Sequence, residues 1–435
     1  MLNDQSRAAV IGHHSVVVVG GGQAGLSMSY CLKQAGIDHV VLEKHRIAHE
    51  WREKRWDSFC LVTPNWQCRL PGFPYAGSDP HGFMKKDEIV RYIEDYAASF
   101  DPPVAEGVTV QAVRRGESGK FELETSAGAC TADQVVIAVG GYHVPTIPRS
   151  AERLSPSVMQ LSSSQYKNPG ALAAGEVLVV GTGQSGCQIA EDLHLAGRKV
   201  HLALGGAPRT ARFYRGKDVV DWLDEMGYYR MPVHDHPMKE RVRAKANHYV
   251  TGRDGGRDID LRKFAKEGMH LYGRLVDIRA DKAYFGADLR KNLDQADAAA
   301  ESIKNTIDGF IASKDIDAPV EARYLPVWEP DHEPRELDLA QSNVQAVVWC
   351  IGFHADYRWI EIPVFDGKGY PSHQRGVSSA PGLYFLGLPW LYTWGSGRFS
   401  GVAADAAYLA EQIRSRREST RPRVTVQFNE LALGS

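Results

Sequence analysis

Residues 15–25 read Ser15-Val16-Val17-Val18-Val19-Gly20-Gly21-Gly22-Gln23-Ala24-Gly25. Four consecutive valines predict a buried parallel strand, because a strand covered on both faces has no polar side to show. Gly20-x-Gly22-x-x-Gly25 follows at once. The first glycine permits a tight turn, the second lets backbone approach a pyrophosphate, and the third lets the next helix pack close on the strand. That helix, over about Ala24 to Ala35, aims free amides and its positive dipole end at the phosphates. A second strand, His39 to Leu42, ends in Glu43, 23 residues beyond Gly20, where a carboxylate accepts hydrogen bonds from a ribose hydroxyl. Strand, triad, helix, strand and acid in register predict a dinucleotide-binding fold. A glycine-rich loop that binds nothing is the alternative.

The pattern recurs in Glu176-Val177-Leu178-Val179-Val180-Gly181-Thr182-Gly183-Gln184-Ser185-Gly186. A helix follows through Leu195, then a strand from Lys199 to Leu204. The same count from Gly181 reaches Leu204, so the acid is missing, and Arg209, Arg212 and Arg215 come soon after. Without the acid, and with guanidinium groups near, a 2′-phosphate is tolerated and paired. The first site therefore suits FAD, with cofactor-binding positions Gly20, Gly22, Gly25 and Glu43. The second suits NADPH, with Gly181, Gly183, Ser185, Gly186, Arg209 and Arg212. Solvated surface charge is the plain alternative for those arginines.

The predicted fold class is α/β, with two Rossmann-like dinucleotide-binding domains. The expected FAD domain is discontinuous (residues 1–150 and 336–435), with the NADPH domain (151–335) inserted and carrying a helical addition near 287–313. In that addition Leu289, Leu293, Ile303, Ile307 and Ile311 share one helical face, which packs on the domain or forms a homodimer contact or lid. The chain has 435 residues, 43% of them hydrophobic and 24% charged, which fits a folded globular protein. A formal charge of −2 gives no electrostatic reason to bind nucleic acid or an anionic membrane. No apolar run reaches the ~20 residues of a membrane span, and Met1 to His14 lacks the pattern of a secretory leader. A cytoplasmic location is the expectation.

Two such sites place a flavin beside a nicotinamide, so hydride transfer is the expected chemistry. A disulfide reductase would need a redox-active cysteine pair beside the flavin. The six cysteines are scattered: Cys60 and Cys68 are the two nearest each other on the loop that follows the first fold. No metal site is expected, because the 16 histidines never cluster with cysteine at ligand spacing. Dioxygen is the simplest remaining acceptor.

Further motifs resemble the class B flavoprotein monooxygenases, the group of flavin-containing and N-hydroxylating monooxygenases, over about Ser15 to Ile413. Val136-Ile137-Ala138-Val139-Gly140 resembles the Ala-Thr-Gly linker motif, and Val347 to Phe353 its second copy at the return to the flavin domain. Gly382 to Gly387 resembles the last flavin-domain strand. The Gly-Gly-x-Trp flavin motif is reduced to Ala48-His49-Glu50-Trp51, and the His-Ser-x-x-Tyr fingerprint reads Leu161-Ser162-Ser163-Ser164-Gln165-Tyr166. The wider wording is similar to bacterial flavin-dependent oxidoreductases often found beside nitrilases. The resemblance implies flavin contacts at Trp51, Gly140, Gly387 and Gly401, and makes Asn65 the catalytic amide. A turn-forming role for Asn65 is the alternative. Arg398, before the last helix, is either a substrate or flavin contact or a surface charge.

The implied function is an NADPH- and dioxygen-dependent monooxygenase that acts on a small nitrogen- or sulfur-containing nucleophile through a flavin hydroperoxide. Two alternatives stand beside it. One is a flavin dehydrogenase or oxidase without a stable peroxide; the other is a flavin redox sensor without turnover.

Overall fold

The computed structural model describes residues 10–420, so the outermost parts of the expected flavin domain (1–9 and 421–435) lie outside the described residues. Two parallel sheets organise the chain. The first is built on β1 (Gly12–Val19), with α1 (Gln23–Gln34) crossing over to β2 (His39–Glu43). After α2 (His49–Glu53) and α3 (Lys86–Phe100) comes β3 (Val104–Glu106), beside β2. A hairpin of β4 (Val110–Arg115) and β5 (Phe121–Thr125) leads into β6 (Gly128–Ile137), which pairs parallel with β1.

The valine run is buried, as its lack of polar positions demands. Val16 and Val18 face a layer that contains Leu26, Met28, Leu409 and Ile413 from helices, while Val17 and Val19 face Val113, Phe385 and Ile360 on the other side. Alternating side chains thus feed two separate cores from one strand.

The second sheet runs β7 (Met159–Ser162), then β11, β8, β9, β10 in space, all parallel. Here β8 is Glu176–Val180, β9 is Val200–Ala203, β10 is His270–Tyr272 and β11 is Val344–Trp349. The helix α4 (Gln184–Leu195) connects β8 to β9, and the short α5 (Leu261–Lys266) leads into β10. Val177 and Val179 pack on Ile189 and Leu193, while Leu178 and Val180 pack on Ile278 and Phe285.

One boundary differs from expectation. The chain was expected to re-enter the first domain at 336, yet Glu336–Asp338 pairs with Lys282–Phe285, and β11 lies between β7 and β8. The second domain therefore extends to Trp349. Re-entry falls at Phe353–His354, which pairs with Val144–Pro145, and β12 (Leu383–Phe385) then adds parallel to β6. A continuous apolar run such as Val347-Val348-Trp349 suits a doubly covered strand in either sheet, so its pattern alone does not choose between them.

The helical addition is one helix, α6 (Leu289–Lys314). Leu289, Leu293, Ile307 and Ile311 are buried, and Asn292 Nδ2 donates to the Leu204 carbonyl at 3.2 Å. The helix thus lies over the turn that leaves β9. A last helix, α7 (Val402–Thr420), returns across the first sheet against α1.

Both helix–strand junctions depend on glycine. A β-carbon on Gly25 would sit 1.7 Å from the Gly20 carbonyl oxygen, and one on Gly186 would sit 1.9 Å from that of Gly181. Either clash forces the helix off its strand. Gly25→Ala and Gly186→Ala are each expected to destabilise by at least about 1–3 kcal/mol, the usual cost of overpacking. Gly309→Ala, exposed in the middle of α6 with open space at its Cα, is expected to stabilise by up to about 1 kcal/mol through helix propensity. Urea unfolding midpoints of the three variants check these opposite signs.

Candidate active site

The two glycine loops have the same construction. Gly20 and Gly181 take φ of +104° and +103°, and a β-carbon at either would strike the carbonyl of Ala138 or Cys350 from the neighbouring strand end. Gly22 and Gly183 differ: no atom lies within 4 Å of a β-carbon there, and neither helix carries a side-chain N-cap. Each loop is thus a cradle open where a diphosphate would approach, with unpaired amides at the helix start. These residues fit a dinucleotide.

The clasps of the two cradles differ. Glu43 Oε2 accepts from the Gly21 amide at 2.6 Å and Oε1 from the His45 amide at 2.9 Å, so the carboxylate stands at the loop's edge. In the second cradle Leu204 occupies the corresponding place, and the Thr182 hydroxyl closes the loop by donating to the Gly205 carbonyl (3.1 Å) and accepting its amide (3.0 Å). A carboxylate is present in one and absent from the other.

Several predicted positions converge on the first cradle. Trp51 Nε1 donates to Gln23 Oε1 at 3.0 Å, and Gln23 Nε2 donates to the Gly397 carbonyl at 3.4 Å. The Trp51 ring stacks on Phe399 with centroids 5.5 Å apart. Gly387 takes φ of +80° and closes on Ala24, while Gly140, at +71°, has open space beside it. Gly401 instead packs on Gly395, 2.5 Å from where its β-carbon would lie, which marks it as a packing position. Ser185 sits half-buried in the first turn of α4.

Three predicted residues are placed otherwise. Arg209 and Arg212 are buried (4% and 1% exposed) rather than presented to a phosphate. Arg209 Nε pairs with Asp297 at 2.6 Å and its guanidinium stacks 4.1 Å from the Tyr324 ring. Arg212 pairs with Asp218 at 2.6 Å and donates to the Val62 carbonyl at 2.6 Å, tying the loop above the first cradle to the second domain. Asp297, 88 residues on, neutralises Arg209, and Asp218, six residues on, neutralises Arg212. Asn65 Nδ2 donates to the Asp79 carbonyl at 2.9 Å and its Oδ1 accepts from the Met84 amide at 2.7 Å. The carboxamide organises the 79–84 loop rather than a turn of its own backbone.

Asp192 had no motif to signal it. Buried on α4, it accepts from Ser58 Oγ (2.6 Å), Tyr166 OH (2.7 Å) and Arg253 Nη1 (2.9 Å). One carboxylate therefore joins the first-domain loop, the linker fingerprint and the Thr251–Asp258 loop. Arg398 was left open by the sequence, and Arg55 was not singled out there. Arg55 lies over Trp51 (5.0 Å) and Phe59 (5.7 Å), and Arg398 lies 3.8 Å over Trp394. Basic residues interleaved with aromatics were the available signal.

All six cysteines are free thiols. Burial pushes Cys31 and Cys60 up to about 11 and Cys68 up to about 12, and raises Cys187 well above its ordinary value. Among the described residues no group of three or more His, Cys, Asp or Glu is placed to hold a metal, and no helix is long and apolar enough to cross a membrane.

The pattern of residues 17–257 matches the family described as pyridine nucleotide-disulphide oxidoreductase. With more than half of the chain matched, the protein belongs to that family of oxidoreductases. Its full length is similar to a CzcO-like oxidoreductase of Geobacillus kaustophilus, 35% identical over 404 residues, covering 92% of this chain and 97% of the relative. It is also similar to the indole-3-pyruvate monooxygenase YUCCA6 of Arabidopsis thaliana, 32% identical over 223 residues, covering 48% of this chain and 53% of that one. Its fold matches a flavin-containing monooxygenase from Stenotrophomonas maltophilia with a TM-score of 0.63 at 18% identity, over 94% of this chain and all of the other. The α/β architecture of two Rossmann-like domains and the class B monooxygenase likeness thus stand together.

Two outcomes follow from this geometry. Thiolate fractions at pH 8 are on the order of one in a thousand for thiols pushed to about 11, so a thiol reagent added to native protein should react slowly with all six cysteines and quickly only after denaturant. Arg212→Ala leaves the buried Asp218 carboxylate unmatched, at a cost of about 3–5 kcal/mol. Its melting temperature should fall, while Arg212→Lys keeps the wild-type ratio of NADPH to NADH use, measured by initial rates.

Proposed function

We propose that the protein is an NADPH-dependent FAD monooxygenase that transfers one atom of dioxygen to a small nucleophilic substrate containing nitrogen or sulfur. The observation that carries this reading is the pairing of two open dinucleotide cradles with an aromatic cluster of Trp51, Phe59 and Phe399 beside the first, in a chain whose thiols are held from ionisation by burial. A disulfide-reducing member of the same family would need a thiolate there. Bound FAD would take a hydride from NADPH and pass the electrons to dioxygen.

The chain's own residues hold and shield. The α1 amides and Gly22 receive the FAD diphosphate, and Glu43 accepts from its ribose. Gly183, Ser185 and the α4 amides serve NADPH, with Leu204 in place of a carboxylate that would repel the 2′-phosphate. The start of α7 supplies a positive dipole end beside Gly397, which favours an anionic reduced ring. Trp51, Phe59 and Phe399 keep water from the reacting centre. No acid–base pair is required of the protein for attack by an amine or thioether.

The second reading is an NADPH oxidase that never retains the oxygen adduct. It is favoured by the linker fingerprint, where Ser162 replaces histidine and bonds only to Ser164 and Gln165, while Tyr166 is spent on Asp192. The test is to reduce the FAD-loaded protein anaerobically with NADPH, mix it with oxygenated buffer and follow the flavin spectrum. A transient absorbance distinct from oxidised and reduced flavin is expected, and an amine or thioether should then shorten its life. Direct return to oxidised flavin with stoichiometric hydrogen peroxide, with and without such substrates, would move the oxidase into first place.

A further inference from the structure

The arginines at the domain junction are matched with acids: Arg212 with Asp218, Arg253 with Asp192 and Arg257 with Glu191. Arg55 and Arg398 are not, since neither has a carboxylate within ion-pair distance among the described residues. Arg398 Nη2 donates to Asn247 Oδ1 at 2.9 Å, another of its nitrogens to the Trp394 carbonyl, and its plane lies on the Trp394 ring. Trp394 in turn meets Tyr229, 4.6 Å away. Arg55 donates to the Lys54 carbonyl at 2.9 Å and lies over Trp51, which stacks on Phe399 next to Arg398.

The two cations therefore border one set of aromatic side chains, joined through the neighbours Arg398 and Phe399. Tyr142, 59% exposed, lies within electrostatic reach of both, and burial pushes both guanidinium groups below their ordinary range. Arg55 also feels Glu50, which lies beyond ion-pair distance, whereas the groups that reach Arg398 are tyrosines. A desolvated cation so weakly matched is costly, and the cost is relieved when an anion arrives. The planar guanidinium fork selects a carboxylate, which it can bind through two parallel bonds. The diphosphate of a bound dinucleotide is a less suitable occupant: the α1 amides already face it, and both end nitrogens of Arg398 are directed to Asn247 and Trp394.

We infer that Arg398 and Arg55 form an anion clamp that receives the carboxylate of a small substrate with an aromatic or apolar body, seated between the two cradles. The assignment rests on the reading of this cleft as the oxygenation site, and narrows the substrate to an amine- or thioether-bearing carboxylic acid. Asn247 positions Arg398, and Tyr142, Tyr229, Trp51 and Trp394 form the walls.

The experiment titrates the full-length FAD-loaded protein with phenylacetate and with phenylacetamide, a near-isostere without the charge, following the flavin spectrum and binding heat. Phenylacetate is expected to bind at least about tenfold more tightly, the least that charge-assisted hydrogen bonds confer. Arg398→Gln should abolish that preference, Arg398→Lys should restore part of it, and the Kd for FAD should hold in both. Equal or absent binding of acid and amide by the wild type would overturn the clamp. So would an Arg398→Gln defect that falls on FAD or NADP⁺ affinity, which would assign the anion to a cofactor phosphate. Failure of the monooxygenase reading registers elsewhere, in the oxygen reaction of the reduced protein, and leaves the acid–amide contrast intact.

Discussion

Everything else in this molecule depends on two approaches of helix to strand that only glycine permits. At Gly25 and again at Gly186, a carbonyl oxygen occupies the space any other residue would need for its β-carbon. The approach brings the start of each helix over the end of its strand, so that backbone amides converge on one point beyond the sheet. Neither cradle needs a charged side chain to attract a diphosphate. The dipole end and unpaired amides do it, which leaves the surrounding side chains free to decide which nucleotide is held and what else enters.

Two cradles are useful only when they face each other in a fixed relation, and a carboxylate holds that relation. Asp192 accepts from Ser58, Tyr166 and Arg253, one partner from each of three segments. Hydrogen bonds to a charged acceptor are short and directional, so these contacts fix orientation where an apolar contact would allow sliding. Arg212, bonded to Val62 and Asp218, does the same from the opposite side of the loop. Burying such groups costs desolvation energy, and the best-attested return on that cost is a defined register.

The cradles were legible in the sequence because every element of each lies within about 25–30 consecutive residues and each glycine answers a local steric demand. What was misread was set at long range. Arg209 and Arg212 stand where a phosphate-binding arginine should stand, yet Asp297, 88 residues beyond Arg209, claims one, and the other is folded against Asp218 and a first-domain carbonyl. The re-entry point was misplaced because β11 is apolar from Ala346 to Trp349, and such a run carries no mark of which sheet it joins. Asn65 was ambiguous for a related reason: a buried amide satisfies whichever polar groups the fold brings to it, and here those are the backbone of Asp79 and Met84. Asp192 left no local trace, since a single acid in a helix resembles any solvated face until the tertiary contacts appear.

Family membership leaves the electron acceptor open, because a fold built to bring two nucleotides together serves thiol and oxygen chemistry alike. The difference must come from the few side chains between the cradles. A disulfide-directed site needs a thiolate, and this chain buries its thiols and holds them far from ionisation. An oxygen-directed site needs dryness and a way to seat the substrate. In the proposed reading Trp51, Phe59, Phe399 and Trp394 would supply the first, and the two arginines without an ion-pair partner a handle for the second. These residues come from segments outside both glycine motifs: the loop after β2, the approach to α7 and, facing them, the second-domain stretch around Tyr229 and Asn247. Selection acting on those segments alone can change the substrate without disturbing either cradle.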